Sequence, residues 1–173
     1  MARYPQRAIV AFPEPPLAAV EVFRVVHDPL ATRLAAHVTL VFPFASAATD
    51  LQLVAHLRRV CRRWPHLPLT LAGVGAYAAR WVHLRVTRGA EALIELHDRL
   101  YRGVLSPYLR REFSYEPHVT IGWSEHAAEC EPMLDAARAA FAVPLAAVVR
   151  ELALIGLDAS GHVERRAAVP LGA

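Results

Sequence analysis

The chain has 173 residues, of which 55% are hydrophobic and 20% charged, with 13 prolines and a formal net charge of +3 at pH 7. Such a composition supplies a packed core and excludes a disordered chain, while a charge of +3 is far below that of a dedicated DNA-binding domain. All 19 basic residues are arginine, which excludes a Schiff-base lysine, a P-loop lysine and a lysine-dependent phosphodiesterase mechanism.

Residues 7–12 (RAIVAF) are a short apolar run closed by Pro13, the pattern of a buried strand. Residues 17–27 are apolar at 17, 18, 20, 22, 23, 25 and 26 behind Pro15 and Pro16, which predicts a helix ended by Asp28-Pro29. Residues 36–42 (AHVTLVF) alternate as a strand with His37, Thr39 and Val41 on one face. Asp50 can cap a helix over 51–64. Residues 69–74 and 81–87 read as antiparallel strands joined by a loop containing Gly75, and 90–104 as an amphipathic helix. Residues 116–123 form a strand, 130–141 a helix, and 148–157 and 163–171 a closing strand pair around a turn at 158–161. Cys61 and Cys130 fall in apolar-periodic helices and read as buried thiols of a reducing compartment. The opening residues lack the apolar core of a signal peptide and no run is long enough to span a bilayer, so a soluble, cytoplasmic monomer is expected.

One pattern stands apart. Residues 37–40 read HVTL and residues 118–121 read HVTI, each followed by a helix and then two strands. The expected architecture is therefore α+β and bilobal, a single domain over 1–173. Two related antiparallel sheets with outer helices would face each other pseudo-symmetrically across a central groove. Residues i and i+2 of a strand point the same way, so His37 projects with Thr39 and His118 with Thr120, while Val38, Leu40, Val119 and Ile121 enter the core. Two imidazoles and two hydroxyls suit transfer at a phosphate diester. A neutral imidazole removes a proton from the attacking oxygen, an imidazolium protonates the leaving oxygen, and hydroxyls hold the non-bridging oxygens. This chemistry requires no metal and no organic cofactor.

Paired His-x-Thr-x motifs, together with IVAFPEP at 9–15, HVTLVFPF at 37–44 and YEPHVTIGW at 115–123, make the chain resemble the 2H phosphoesterase superfamily. Within it, the likeness is to the bacterial 2′-5′ RNA ligase-like proteins and RNA 2′,3′-cyclic phosphodiesterases. The resemblance implies a two-lobed, metal-independent enzyme with RNA ends or cyclic nucleotides as partners. It further implies opening of a 2′,3′-cyclic phosphate to a 2′-phosphomonoester, together with the capacity for reverse 2′-5′ RNA ligation. A non-catalytic nucleotide-binding regulatory module is the principal alternative. A structural protein whose HVT strands are merely core is another.

Further candidates surround the motifs. Phe42, Phe44 and Trp123 follow them and can stack on a base, with core packing as the competing reading. Tyr115 can reach a phosphate or ribose. Trp81, His83 and Arg85 share one face of their strand and can reach a ligand. Arg58, Arg59, Arg62 and Arg63 form a basic helix stripe, read as a solvated face or as a track for an RNA backbone.

Overall fold

The computed structural model describes residues 6–112, 114–158 and 160–172. Ala159 of the turn expected at 158–161 lies outside them. In chain order the elements are β1 (Gln6–Ala11), α1 (Ala18–His27), β2 (Val38–Ala45), α2 (Asp50–Cys61), β3 (Leu67–Tyr77), β4 (Trp81–Arg88), α3 (Ala90–Leu100), β5 (His118–Trp123), α4 (Cys130–Ala140), β6 (Leu145–Val149), β7 (Glu151–Leu157) and β8 (Val163–Pro170). A 3-10 segment, Gly103–Tyr108, follows α3. Helix α2 is capped by Thr49 rather than Asp50: Thr49 and Gln52 form a capping box, and Asp50 instead receives Arg7 Nε at 2.6 Å.

The fold is α+β, but the two sheets expected from the sequence are one. Eight antiparallel strands form a single sheet in the order β6-β3-β4-β5-β2-β1-β7-β8. The predicted strand over 148–157 is split at Arg150 into β6, which pairs with β3, and β7, which pairs with β1. Those two strands stand first and seventh in the order. Laid flat they would be roughly 29 Å apart at the usual strand spacing, yet a single residue joins them, and two Cα steps reach no more than about 7 Å. The sheet must therefore curl. Glu14, just beyond β1, closes the curl by exchanging backbone hydrogen bonds with Val148 at 2.9 and 2.8 Å.

Helices cover one face. Leu53, Leu57 and Cys61 of α2, Leu93, Leu96 and Leu100 of α3, and Met133 and Leu134 of α4 pack against Val38, Leu40, Val82, Leu84, Val119 and Ile121. Both cysteines are free and buried, and burial pushes the Cys61 thiol up to about 12. Helix α1 departs from its sequence pattern. Val22, Val25 and Val26 are exposed, whereas Arg24 is 1% exposed. Among the described residues no helix is long and apolar enough to cross a membrane.

Candidate active site

The two tetrads meet at the centre of the sheet. Strands β2 and β5 are adjacent, antiparallel, and in register at Val38 and Val119. One residue further on either side, that register sets His37 against Thr120 and Thr39 against His118. Val38 and Val119 are fully buried on the helical side, so the four polar side chains stand together on the opposite, groove-facing side. All four are half-buried.

Each strand makes the same local adjustment. Between Val10 and Ile9 of β1, strand β2 advances from Thr39 to Val41, so Leu40 is an extra residue. Between His83 and Val82 of β4, strand β5 advances from Thr120 to Gly122, so Ile121 is the extra one. The fourth residue of each tetrad is thus a β-bulge whose aliphatic side chain, fully buried in both cases, anchors the strand just beyond the threonine. The bulge also turns Val41 inward, so it is buried and leaves the face it was expected to share with His37 and Thr39.

The histidines are oriented alike. His37 Nδ1 lies 2.8 Å from the carbonyl of Ala35, and His118 Nδ1 lies 2.6 Å from the carbonyl of Glu116. A carbonyl oxygen only accepts, so Nδ1 carries the hydrogen in both rings. Nε2 of each imidazole is left to take or give a proton.

What holds His37 was not visible as a motif. Arg24 is buried beneath the segment that precedes it. Its guanidinium meets Asp28 at 2.8 Å and Glu21 at 2.9 Å, and donates to the Leu34 carbonyl at 2.8 Å. Glu21 also accepts from the Ala36 amide at 2.5 Å. This network fixes the backbone on both sides of Ala35, whose carbonyl sets the His37 tautomer. Burial, the dominant cause, together with the nearby Arg24 and His118, lowers the His37 pKa against the opposing pull of the Ala35 carbonyl and Asp28.

The remaining candidates divide. Trp81 pairs with Trp123, His83 with Thr120 and Arg85 with His118 in the β4–β5 register, which brings all three β4 side chains to the groove side. The His83 ring centroid is 4.8 Å from that of His118. Burial, then His118 and Arg85, push the His83 pKa down to about 4, so it is neutral at pH 7. Gly75 makes this possible. It lies within β3, not in the hairpin loop, and a Cβ there would come within 2.6 Å of His83 Nε2 and 3.1 Å of Arg85 Nε. Phe44, by contrast, is 4% exposed in the core with its ring 5.1 Å from Tyr108. Tyr115 stacks on His97 at 4.0 Å and donates its hydroxyl to the Thr39 carbonyl at 2.9 Å, so its polar atom bolts β2 in place. Phe42 is half-buried beside Tyr115, with Arg110 over its ring. Of the arginine stripe, Arg59, Arg62 and Arg63 line a cleft of about 550 Å³ with Arg99 and Arg102, between helices that cover the other face of the sheet. Among the described residues no three His, Cys, Asp or Glu side chains converge as a metal site.

Comparison with known proteins agrees with this fold. The family model described as the 2′-5′ RNA ligase superfamily matches residues 12–161. A Bacillus licheniformis protein named "Putative phosphoesterase" is 28% identical over 116 residues, 65% of this chain and 68% of its own. A Halalkalibacterium halodurans protein of the same name is 30% identical over 119 residues, 66% of this chain and 67% of its own. Among solved structures, E. coli LigT complexed with 3′-AMP superposes with a TM-score of 0.63 at 19% identity, over 98% of this chain and 99% of that one. LigT has also been solved with NADP+ and with ATP. The chain belongs to the 2′-5′ RNA ligase superfamily, within the 2H phosphoesterases.

Proposed function

We propose that the chain is a metal-independent phosphodiesterase that opens 2′,3′-cyclic phosphates at RNA or nucleotide ends to 2′-phosphomonoesters. Water attacks phosphorus, and one imidazole Nε2 takes its proton. The bond from phosphorus to the 3′-oxygen breaks, and the other Nε2, as imidazolium, protonates that oxygen. Thr39 and Thr120 donate hydroxyl hydrogens to the two non-bridging oxygens as charge builds. With a ribose 5′-hydroxyl attacking in place of water, the same steps join ends through a 2′-5′ bond, and run backwards they cleave that bond.

The observation that carries this reading is the pairing of the two histidines. Each is held through Nδ1 to the carbonyl two residues before it, and each stands across from the other strand's threonine. Binding a nucleotide calls for no such matched pair of proton-transfer nitrogens. A short RNA ending in 2′,3′-cyclic phosphate, assayed in EDTA, is expected to be turned over to a 2′-phosphate. His37→Ala and His118→Ala are each expected to lose about 100-fold or more in rate while keeping the wild-type melting temperature. Tight nucleotide binding without turnover in the wild type would leave the regulatory binding module as the reading. A 3′-phosphate product would reverse the leaving oxygen.

A further inference from the structure

Three aromatic side chains form a row across three neighbouring strands. Tyr77 of β3 pairs with Trp81 of β4, and Trp81 pairs with Trp123 of β5. Successive ring centroids are 6.1 and 6.5 Å apart. Directly paired residues share a face of the sheet. For Trp81 that is the face of His83, whose ring touches His118, so the row starts one rung from the catalytic pair and runs outward. Tyr77 is 64% exposed and Trp81 38%.

The hairpin that presents the row is tight. Ala78 and Ala79, its two central residues, both have positive φ, at 51° and 49°, a conformation costly for alanine and concentrated at functional sites. The arginines of the described residues divide into those held in ion pairs and those that are not. Arg7, Arg24, Arg99, Arg138, Arg150, Arg165 and Arg166 each meet a carboxylate. Arg80 in the turn and Arg85, two rungs along the same face of β4, are among those that meet none within the described residues. Flat aromatic faces flanked by uncommitted guanidinium groups fit unpaired bases joined by phosphates, because every base has a face to stack and every linkage a charge to balance.

We propose that Tyr77, Trp81 and Trp123 are a stacking platform for the unpaired nucleotides that precede the terminal cyclic phosphate of an RNA strand. The proposal rests on the phosphodiesterase reading and narrows it: the site takes a strand of several nucleotides in preference to a mononucleotide. Stacking is indifferent to base identity, so the preference is for length and single-strandedness.

Two readouts test it. Tryptophan fluorescence is titrated with single-stranded oligonucleotides of one, two and four nucleotides, each ending in a 2′-deoxy 3′-phosphate that cannot react. Separately, kcat/KM is measured on 2′,3′-cyclic phosphates of the same lengths. Affinity and kcat/KM are both expected to rise about tenfold or more from one nucleotide to four. Trp81→Ala should shrink the four-to-one ratio by about tenfold, Tyr77→Ala by less, and Trp81→Phe should restore most of it. Melting curves establish that the variants are folded, and Tyr77→Ala, at an exposed position, keeps the test open should Trp81→Ala unfold. A four-to-one ratio near unity in the wild type overturns the platform, even with brisk turnover of mononucleotides. So does a ratio unmoved by both alanine variants in folded protein. Length-dependent binding through Trp81 with no turnover of any cyclic phosphate would instead sustain the platform and remove the catalytic reading. Dimerisation in sedimentation that is abolished by Trp81→Ala would assign the row to a second copy of the chain and overturn the proposal.

Discussion

On β2, His37 packs edge-on against Phe12 with ring centroids 6.2 Å apart, beside an apolar patch of Ala8, Val10, Ala153 and Ile155. On β5, His118 has His83 at 4.8 Å and Arg85 as its partner in the β4 register. The two tetrads are alike in residue type, bulge and Nδ1 anchoring, yet they stand on unlike walls, one largely apolar, where Arg165 lies over Phe12 but is paired with Glu151, and one polar with an arginine that meets no carboxylate. Their anchoring differs too. The approach to His37 is clamped by the buried Glu21–Arg24–Asp28 network, whereas the approach to His118 is tied to β2 through the Tyr115 hydroxyl. A repeated motif therefore does not make interchangeable sites: its own residues leave the same ring nitrogen free in both copies, and its neighbours give each a different setting.

The sharpest way to break the comparison is Arg24→Met. The change keeps the volume but strands the Asp28 carboxylate, itself 8% exposed, without its cation. Removing one partner from a buried pair costs about 3–5 kcal/mol. Urea unfolding is expected to show a loss of that size, with activity falling further than the folded fraction as Ala35 shifts and releases His37. A loss below about 1 kcal/mol would mean that the network is dispensable and the β2 site no more firmly held than the β5 site.

The tetrads were legible because a strand writes its two faces into sequence with a period of two, and both copies kept valine inward and His and Thr outward. Trp81, His83 and Arg85 were placed on one face by the same rule. The rule failed wherever tertiary contacts override local pattern. In α1 the valines at 22, 25 and 26 helped to mark the helix yet are exposed, and the helix buries Arg24 because two carboxylates and a backbone carbonyl meet it there. The signal was present as acidic residues at 21 and 28 bracketing a lone arginine in a valine-rich helix, though apolar counting hides it. Val41 was misplaced by alternation because the bulge at Leu40 turns it inward, whereas Phe44, beyond a second register shift opposite Arg7 and Ile9, keeps the core side that Val38 and Leu40 occupy. The single sheet was unreadable, since nothing local in VVRELALIGL says that its two ends pair with strands at opposite ends of the order.

Acidification probes the two walls together. Burial is the leading cause of a lowered pKa at His37, His56, His83 and His97, opposed by Ala35 and Asp28 at His37, by the Leu100 carbonyl at His56 and by Asp98 at His97. In the unfolded chain these groups titrate near 6.5, and in the native protein lower, at about 4 for His83. Between those values the unfolded chain binds more protons, so stability falls as pH drops from 6.5 toward 4 and is flat above 6.5 as far as these groups are concerned. Urea midpoints at pH 7.5, 6, 5 and 4.5 should show the decline, and His83→Gln should make it shallower. Midpoints that hold steady down to pH 4.5 would contradict the burial of these rings. An unchanged slope in His83→Gln would shift the acid sensitivity to His37, His56 and His97.

The smallest expected effect concerns the tie between the two strands. Tyr115 lies three residues before His118, yet its hydroxyl is 2.9 Å from the Thr39 carbonyl on β2, and its ring is stacked on His97 at 4.0 Å. Tyr115→Phe keeps the stack and removes one hydrogen bond, leaving a half-buried carbonyl with one partner fewer, a change worth about 1 kcal/mol. If the hydroxyl only holds β2 in register with β5, kcat and KM should both move less than about threefold, and the pH profile of the reaction should keep its shape. Thr39→Val, which removes the hydroxyl proposed to hold a non-bridging phosphate oxygen, should cost about 100-fold in kcat. A Tyr115→Phe defect as deep as that of Thr39→Val, without a matching loss of stability, would place the phenol at the substrate. The β5 site would then hold a catalytic donor with no counterpart on β2, and the difference between the two strands would lie in their chemistry as well as their walls.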